Sequence, residues 1–277
     1  MTADLHAAVA GLVERSAAAY VSGVPEDPAN DGFFGPASVT WQVSTDLATP
    51  VAGLRSLLMQ ALHPLAMAGV DQHSGWRQDP IGRLAATSAY VATITFAERA
   101  VAERAAARVR RIHDHVTGVD AVTGRPYAAG DPALLLWVHV ALVESNLAAR
   151  RALGTACSAQ DSDRYVAEMV IAAELVGVPR PLVPASVAEL GQYVAAVRPE
   201  LRCTPAAAES MAYLLDPLPK YERRIAGWSC VILITAGLAT SDDPLANDAR
   251  AFTAVLLARN SAAVLGRRPA CPGLIRS

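Results

Sequence analysis

Apolar residues recur at three- and four-residue intervals along most of the chain, the spacing that gathers them on one face of an α-helix. Such segments run over about 3–21, 47–62, 64–72, 80–95, 97–116, 132–153, 160–176, 185–197, 205–214, 219–240 and 245–264. Several open on the same start signal. Asp79-Pro80, Asp131-Pro132, Asp216-Pro217 and Asp243-Pro244 each put a carboxylate ahead of a proline at the first helical position, and Thr204-Pro205 does so with a hydroxyl. The acceptor satisfies an amide that the helix leaves unpaired, and proline presets φ. One stretch breaks the period: Val119, Val122 and Tyr127 surround Thr123-Gly124-Arg125-Pro126, turn chemistry that predicts a short β-hairpin or lid near 117–130. Long loops are predicted at 23–36 and 74–79, a proline-rich connection at 178–184 and coil after Gly266. Nothing resembles an interdomain linker, so the pattern predicts one all-α domain over 1–277.

Composition narrows the class. Apolar residues make up 52% of the chain and charged residues 18%, which excludes disorder as the main state. Aromatics are only 5%, while Ala alone is about a fifth, a balance suited to close helix packing rather than to a sheet. A net charge of −2 without a basic stripe argues against a nucleic-acid partner. The most basic stretch, Arg104 to His115, is interrupted by Ala and Asp114 and reads as a solvated helix face. Cys157, Cys203, Cys230 and Cys271 lie far apart with no C-x-x-C, the usage of buried thiols in a cytosolic protein. Asp4 and Glu14 make the first twenty residues an amphipathic helix rather than a secretory signal, so a cytoplasmic location is expected. The longest uncharged run, Ile225 to Ser241, is at about 17 residues the lower limit for a membrane span, and a buried core helix is the expected reading.

Several chemistries lack their signatures. G-x-G-x-x-G, a Walker loop, G-x-S-x-G, H-E-x-x-H, the E-x-x-H pair of di-iron bundles and an H-x-D/E facial triad are all missing. What remains is a set of single histidines on apolar helices, an arrangement that suits haem, which needs one strong axial ligand and a large dry slot. His139 has Leu135, Leu136, Leu142 and Val143 as helical neighbours; it is a candidate iron ligand or a core histidine bonded to a backbone group or carboxylate. Arg83 and Thr87 stand one turn apart and could grip a carboxylate together, or Arg83 could pair with an acid. His63, before Pro64, could point into a pocket at a helix break or cap the last carbonyls. His63 and Glu144 are distal catalytic candidates by polarity alone. His113 and His115, bracketing Asp114 near a helix C-terminus, read as surface residues favoured as cations by the helix dipole.

Five motifs in order carry a family resemblance. They are Gly35-Pro36-Ala37-Ser38-Val39-Thr40-Trp41, Leu58-Met59-Gln60-Ala61-Leu62-His63-Pro64, Gly82-Arg83-Leu84-Ala85-Ala86-Thr87, Gly118-Val119-Asp120 with Thr123-Gly124-Arg125-Pro126-Tyr127, and Asp131-Pro132-Ala133-Leu134-Leu135-Leu136-Trp137-Val138-His139. Over about 33–260 the chain resembles the catalytic domain of the oxygenase MpaB / rubber oxygenase (latex clearing protein) family. The resemblance implies a helical fold with a globin-like core and non-covalent haem b. It places the family's proximal histidine on His139 and its Arg-x-x-x-Thr pair on Arg83 and Thr87. It also implies O₂ as co-substrate. The longer segment between Thr87 and His139 departs from the rubber-cleaving branch, which points to a small hydrophobic metabolite instead of polyisoprene. A non-catalytic helical haem- or lipid-binding protein is the alternative.

Overall fold

The computed structural model describes residues 31–46, 48–153 and 155–215. The helices expected at 3–21, 219–240 and 245–264, the Ile225–Ser241 run, Cys230, Cys271, and the starts at Asp216 and Asp243 lie outside the described residues. Within them the fold is helical: α1 Val39–Ser44, α2 Thr49–Ala61, α3 Pro64–His73, α4 Pro80–Phe96, α5 Arg99–His113, α6 Pro132–Ala152, α7 Ala159–Val176, α8 Val187–Val197 and α9 Pro205–Leu215. Single 3₁₀ turns occupy Arg180–Leu182 and Arg198–Glu200. A two-stranded antiparallel hairpin, β1 Thr117–Val119 with β2 Pro126–Ala128, stands between α5 and α6.

The start signals act as their chemistry dictates. Asp79 accepts from the Gly82 amide at 2.9 Å, Asp131 from Ala133 at 2.8 Å and Thr204 from Ala207 at 3.2 Å. The segment expected at 97–116 is shorter, because Ala97 and Glu98 are extended and Glu98 bridges to Gly32. Helix α1 was not anticipated. Six residues carry too little periodicity to announce a helix. Its N-terminal amides find their acceptor on α7, where the Glu168 carboxylate takes Val39 N–H at 3.4 Å and Thr40 N–H at 2.8 Å. The expectation of buried thiols fails for the described cysteines, since Cys157 is half-buried and Cys203 is exposed in the loop before α9.

Helix α6 is the spine. One side carries Leu135, Leu136, Val140, Val143 and Leu147 into the main core with Val39 and Val43 of α1, Ile94 of α4, Ala102 and Ala106 of α5, and Tyr165, Val166, Met169, Val170 and Ala173 of α7. Its other side lies along α2. There Ala52 and Ala149 are buried in one small cluster, so the two backbones approach closely. By length and composition α6 could cross a membrane, but 78% of that stretch is buried within the fold. It is thus the interior helix of a layered bundle.

The hairpin is docked on α3. Gly118 faces Tyr127 in the register, and the Tyr127 hydroxyl donates to Gln72 Oε1 at 2.8 Å. His73 Nε2 lies 3.2 Å from the Thr117 carbonyl. A Cβ on Gly118 would meet the Tyr127 hydroxyl at 2.6 Å and its ring at 2.9 Å. Gly118→Ala should therefore push the ring off α3 and destabilise the protein by about 1–3 kcal/mol, the usual cost of overpacking. Urea denaturation checks this, and a wild-type midpoint would show that the ring yields freely.

Candidate cofactor site

His139 lies on the inner side of α6, between the core residues Leu135 and Leu136 one turn before it and Val143 one turn after. Its side chain is buried, at 8% exposure. Among the described residues neither a backbone carbonyl nor a carboxylate pairs with its ring, so the arrangement of a core histidine held by such a partner is not seen. Burial alone pushes its pKa down to about 4. The imidazole is neutral at ordinary pH, and its ring bonds to none of the described residues.

That depression has a consequence for the ligand-free protein. The unfolded chain takes up a proton at His139 near the ordinary value of 6.5, whereas the folded chain resists protonation until about 4. Stability is therefore complete above pH 6.5 and is lost as pH falls towards 4, by up to about 3 kcal/mol. Melting curves across this window should show the loss in wild type and less of it in His139→Leu. Parallel curves would mean that the imidazole finds a partner.

Helix α4 presents a second group. Arg83 Nη1 donates to the Thr87 hydroxyl at 2.9 Å, and Thr87 Oγ1 donates to the Arg83 carbonyl at 3.0 Å. The hydroxyl thus clamps one arm of the guanidinium. No carboxylate pairs with Arg83 among the described residues. Its side chain is reachable by solvent, yet burial lowers its pKa. Both statements hold for a cation lining a cleft. Beyond Arg83 the N-terminal half of α4 is largely apolar but poorly covered: Leu84 and Ala85 are half-buried, Ala86 and Ala89 exposed, and from Leu84 onwards full burial begins at Ala92. Helix α4 packs on α5 and α1 and makes no extended contact with α6, while Val138 of α6 is 40% exposed. No hydrogen bond or ion pair joins Arg83 or Thr87 to His139.

His63 and Glu144 lie elsewhere. Helical geometry, about 100° per residue, puts Trp137, Ala141 and Glu144 on the side of α6 away from His139. Glu144 accepts from Arg55 Nη1 of α2, and the same Nη1 donates to the Ser145 hydroxyl at 2.8 Å. The pair is buried between the two most intimately packed helices, where its role is structural. His63 is the extended residue between α2 and α3, and its ring caps no carbonyl. The ring is 6.1 Å from that of Trp137, its Nε2 is 4.0 Å from Glu200, and its Nδ1 is buried without a partner. Burial lowers its pKa against the opposing pull of Glu200. The structure therefore does not bring these two beside His139.

Two further residues come forward, Tyr90, which the sequence reading passed over, and His113, which it placed at the surface. Tyr90 continues the Arg83–Thr87 face of α4, and its buried hydroxyl has no partner. His113, read from the sequence as a surface cation, is half-buried with an unpartnered Nδ1, and burial and the Arg83 charge lower its pKa. The i, i+4, i+7 spacing of Arg83, Thr87 and Tyr90 was a signal for the first; for the second there was none, because it depends on how α5 returns along α4. His115 stays at the surface, with Nδ1 2.8 Å from the Arg111 carbonyl.

Among known proteins, the family described as "ER-bound oxygenase mpaB/B'/Rubber oxygenase, catalytic domain" matches residues 41–269. No curated protein and no solved structure matches the chain. The match spans most of the sequence and takes in α2 to α9, with Arg83, Thr87 and His139 inside it. The chain belongs to the mpaB/rubber oxygenase catalytic-domain family and is an enzyme of the oxygenase class, using O₂ and a small-molecule substrate.

Proposed function

We propose that this enzyme is a haem b-dependent oxygenase of a hydrophobic small molecule, with His139 as the axial ligand. The observation that carries the reading is the state of His139: buried and neutral on the inner side of the central helix, with no hydrogen bond to any described residue. A buried polar group normally has a hydrogen-bond partner, and one without it calls for an explanation. A neutral imidazole offers its lone pair to iron without first losing a proton. Among the described residues no three His, Cys, Asp or Glu side chains converge as a metal site. The described residues thus offer His139 no second protein ligand, which suits a metal that brings its own ligands, as a porphyrin does. When bound, haem b supplies the O₂ and redox chemistry.

The chain's own residues supply position and environment. His139 holds the iron from the α6 side. Arg83, fixed by the Thr87 hydroxyl, keeps further N–H donors for a haem carboxylate, since a guanidinium has five. The half-covered apolar flank of α4 favours an apolar substrate.

Loss of a charge-assisted hydrogen bond of about 1.5–3 kcal/mol predicts roughly 10- to 100-fold weaker haem affinity in Arg83→Ala. Arg83→Lys should weaken it less, keeping the charge and losing the fork. Thr87→Val, which removes only the hydroxyl, should have the smallest effect of the three. Transfer of haem to an acceptor protein reads these differences. Unchanged affinity in Arg83→Ala would assign the residue away from the cofactor.

A further inference from the structure

The Arg83–Thr87 face of α4 does not end at Thr87. Tyr90 stands three residues further on, on the same face, with its ring packed against the main core and its hydroxyl buried without a partner. Side chains on a helix lean towards its N-terminus, so the Tyr90 hydroxyl reaches back towards the level of Thr87. Only two residues separate α4 from α5, and the helices run antiparallel and packed together. The last residue of α5, His113, therefore returns beside the first turns of α4. Its Nδ1 is the second buried polar atom without a partner, and the Arg83 charge is felt there. Arg110, one turn earlier, adds a further cation whose field reaches Tyr90, its Nη1 donating to the Leu175 carbonyl. The acid nearest in sequence, Asp114, is exposed.

Two buried polar atoms without partners, beside a guanidinium that no acid among the described residues neutralises, are a costly arrangement for a chain to keep empty. Arg83, Tyr90 and His113 can all donate, and the set is cationic. We propose that Arg83, Thr87, Tyr90 and His113 form one seat for the carboxylate of an otherwise apolar ligand, with the Tyr90 hydroxyl and His113 Nδ1 as donors beside the guanidinium. The apolar body lies against the uncovered wall of α4. A haem propionate and a free apolar acid share this chemistry. The inference rests on the functional reading only in taking α4 as the cleft wall, and it stands whether or not haem is the occupant.

The test uses the full chain and two matched ligand pairs: haemin with its dimethyl ester, and dodecanoate with methyl dodecanoate. Binding is followed by quenching of tryptophan fluorescence in wild type, Tyr90→Phe and His113→Phe. The wild type should bind at least one acid about 10-fold or more tightly than its ester. Each variant should lose most of that preference while ester affinity stays level. Tyr90→Phe should also raise the melting temperature of the ligand-free protein by about 2–4 °C, because it removes a buried hydroxyl that nothing satisfies. If haemin does not bind but dodecanoate is preferred over its ester, the haem reading falls and the seat stands. If haemin and its dimethyl ester bind equally well and dodecanoate shows no preference, the seat falls and the haem reading stands. Failure of both acids to bind, an acid preference untouched by both substitutions, or a Tyr90→Phe protein no more stable than wild type overturns the seat.

Discussion

His139→Ala should remove haem retention while leaving a helical protein. Losing an outer-shell partner of a metal ligand already costs 10- to 100-fold in affinity, so losing the ligand itself should cost more than about 100-fold. The fold does not depend on the imidazole. Helix α6 has its own cap at Asp131, proline at its first position, and Leu135, Leu136, Val140, Val143 and Leu147 packed in the core. The removed ring leaves no partner stranded, because it has none among the described residues. Circular dichroism should keep its helical signal as the Soret absorbance disappears. A variant that keeps normal haem content would move the ligand to another residue.

The second large effect falls on stability. Arg55 and Glu144 form a buried ion pair, each side chain 11% exposed, at the crossing of α2 and α6. Glu144→Ala takes this carboxylate from a guanidinium buried beside Ser145 and Met59. Breaking such a pair from one side costs about 3–5 kcal/mol. Replacing both partners together, Arg55→Met with Glu144→Leu, should restore much of that loss, since both charges of the pair are then removed and the other neighbour of Glu144, Arg151, is half exposed. Urea denaturation of the two single variants and the double variant measures the coupling. The outcome that would reverse the assignment is a Glu144→Gln protein of wild-type stability with abolished turnover, which would make Glu144 a reacting group.

These two residues show what the sequence could and could not disclose. The burial of His139 was legible because its cause is local: a capped helix, an apolar face and an imidazole in the middle of it. Glu144, five residues on, looked equally available. Its partner Arg55 is 89 residues earlier in the chain, and no local pattern reveals that the two meet. The same holds for α1, whose amides are satisfied by Glu168 at a separation of 128 residues or more. The long helices, by contrast, were readable because each has enough turns for the period to show, and α4 and α6 carry their own start signals as well. Helix α6 was expected at 132–153 and runs Pro132–Ala152; α4 was expected at 80–95 and runs Pro80–Phe96. The hairpin was readable from its turn chemistry, with Gly124 at φ +68° where only glycine is comfortable. Its docking through Tyr127 onto Gln72 was not, since that contact depends on where α3 lies. Tyr90 sits between these cases: its spacing from Arg83 was visible, but its unpartnered hydroxyl appears only once the helices are packed.

The central claim is most directly tested by the absorption spectrum and haem content of the purified full chain, before and after addition of haemin. The account predicts a Soret band and one non-covalent haem b per chain, extractable into acid–acetone and held through gel filtration. A protein that purifies colourless and passes through the same column without retaining added haemin would contradict it.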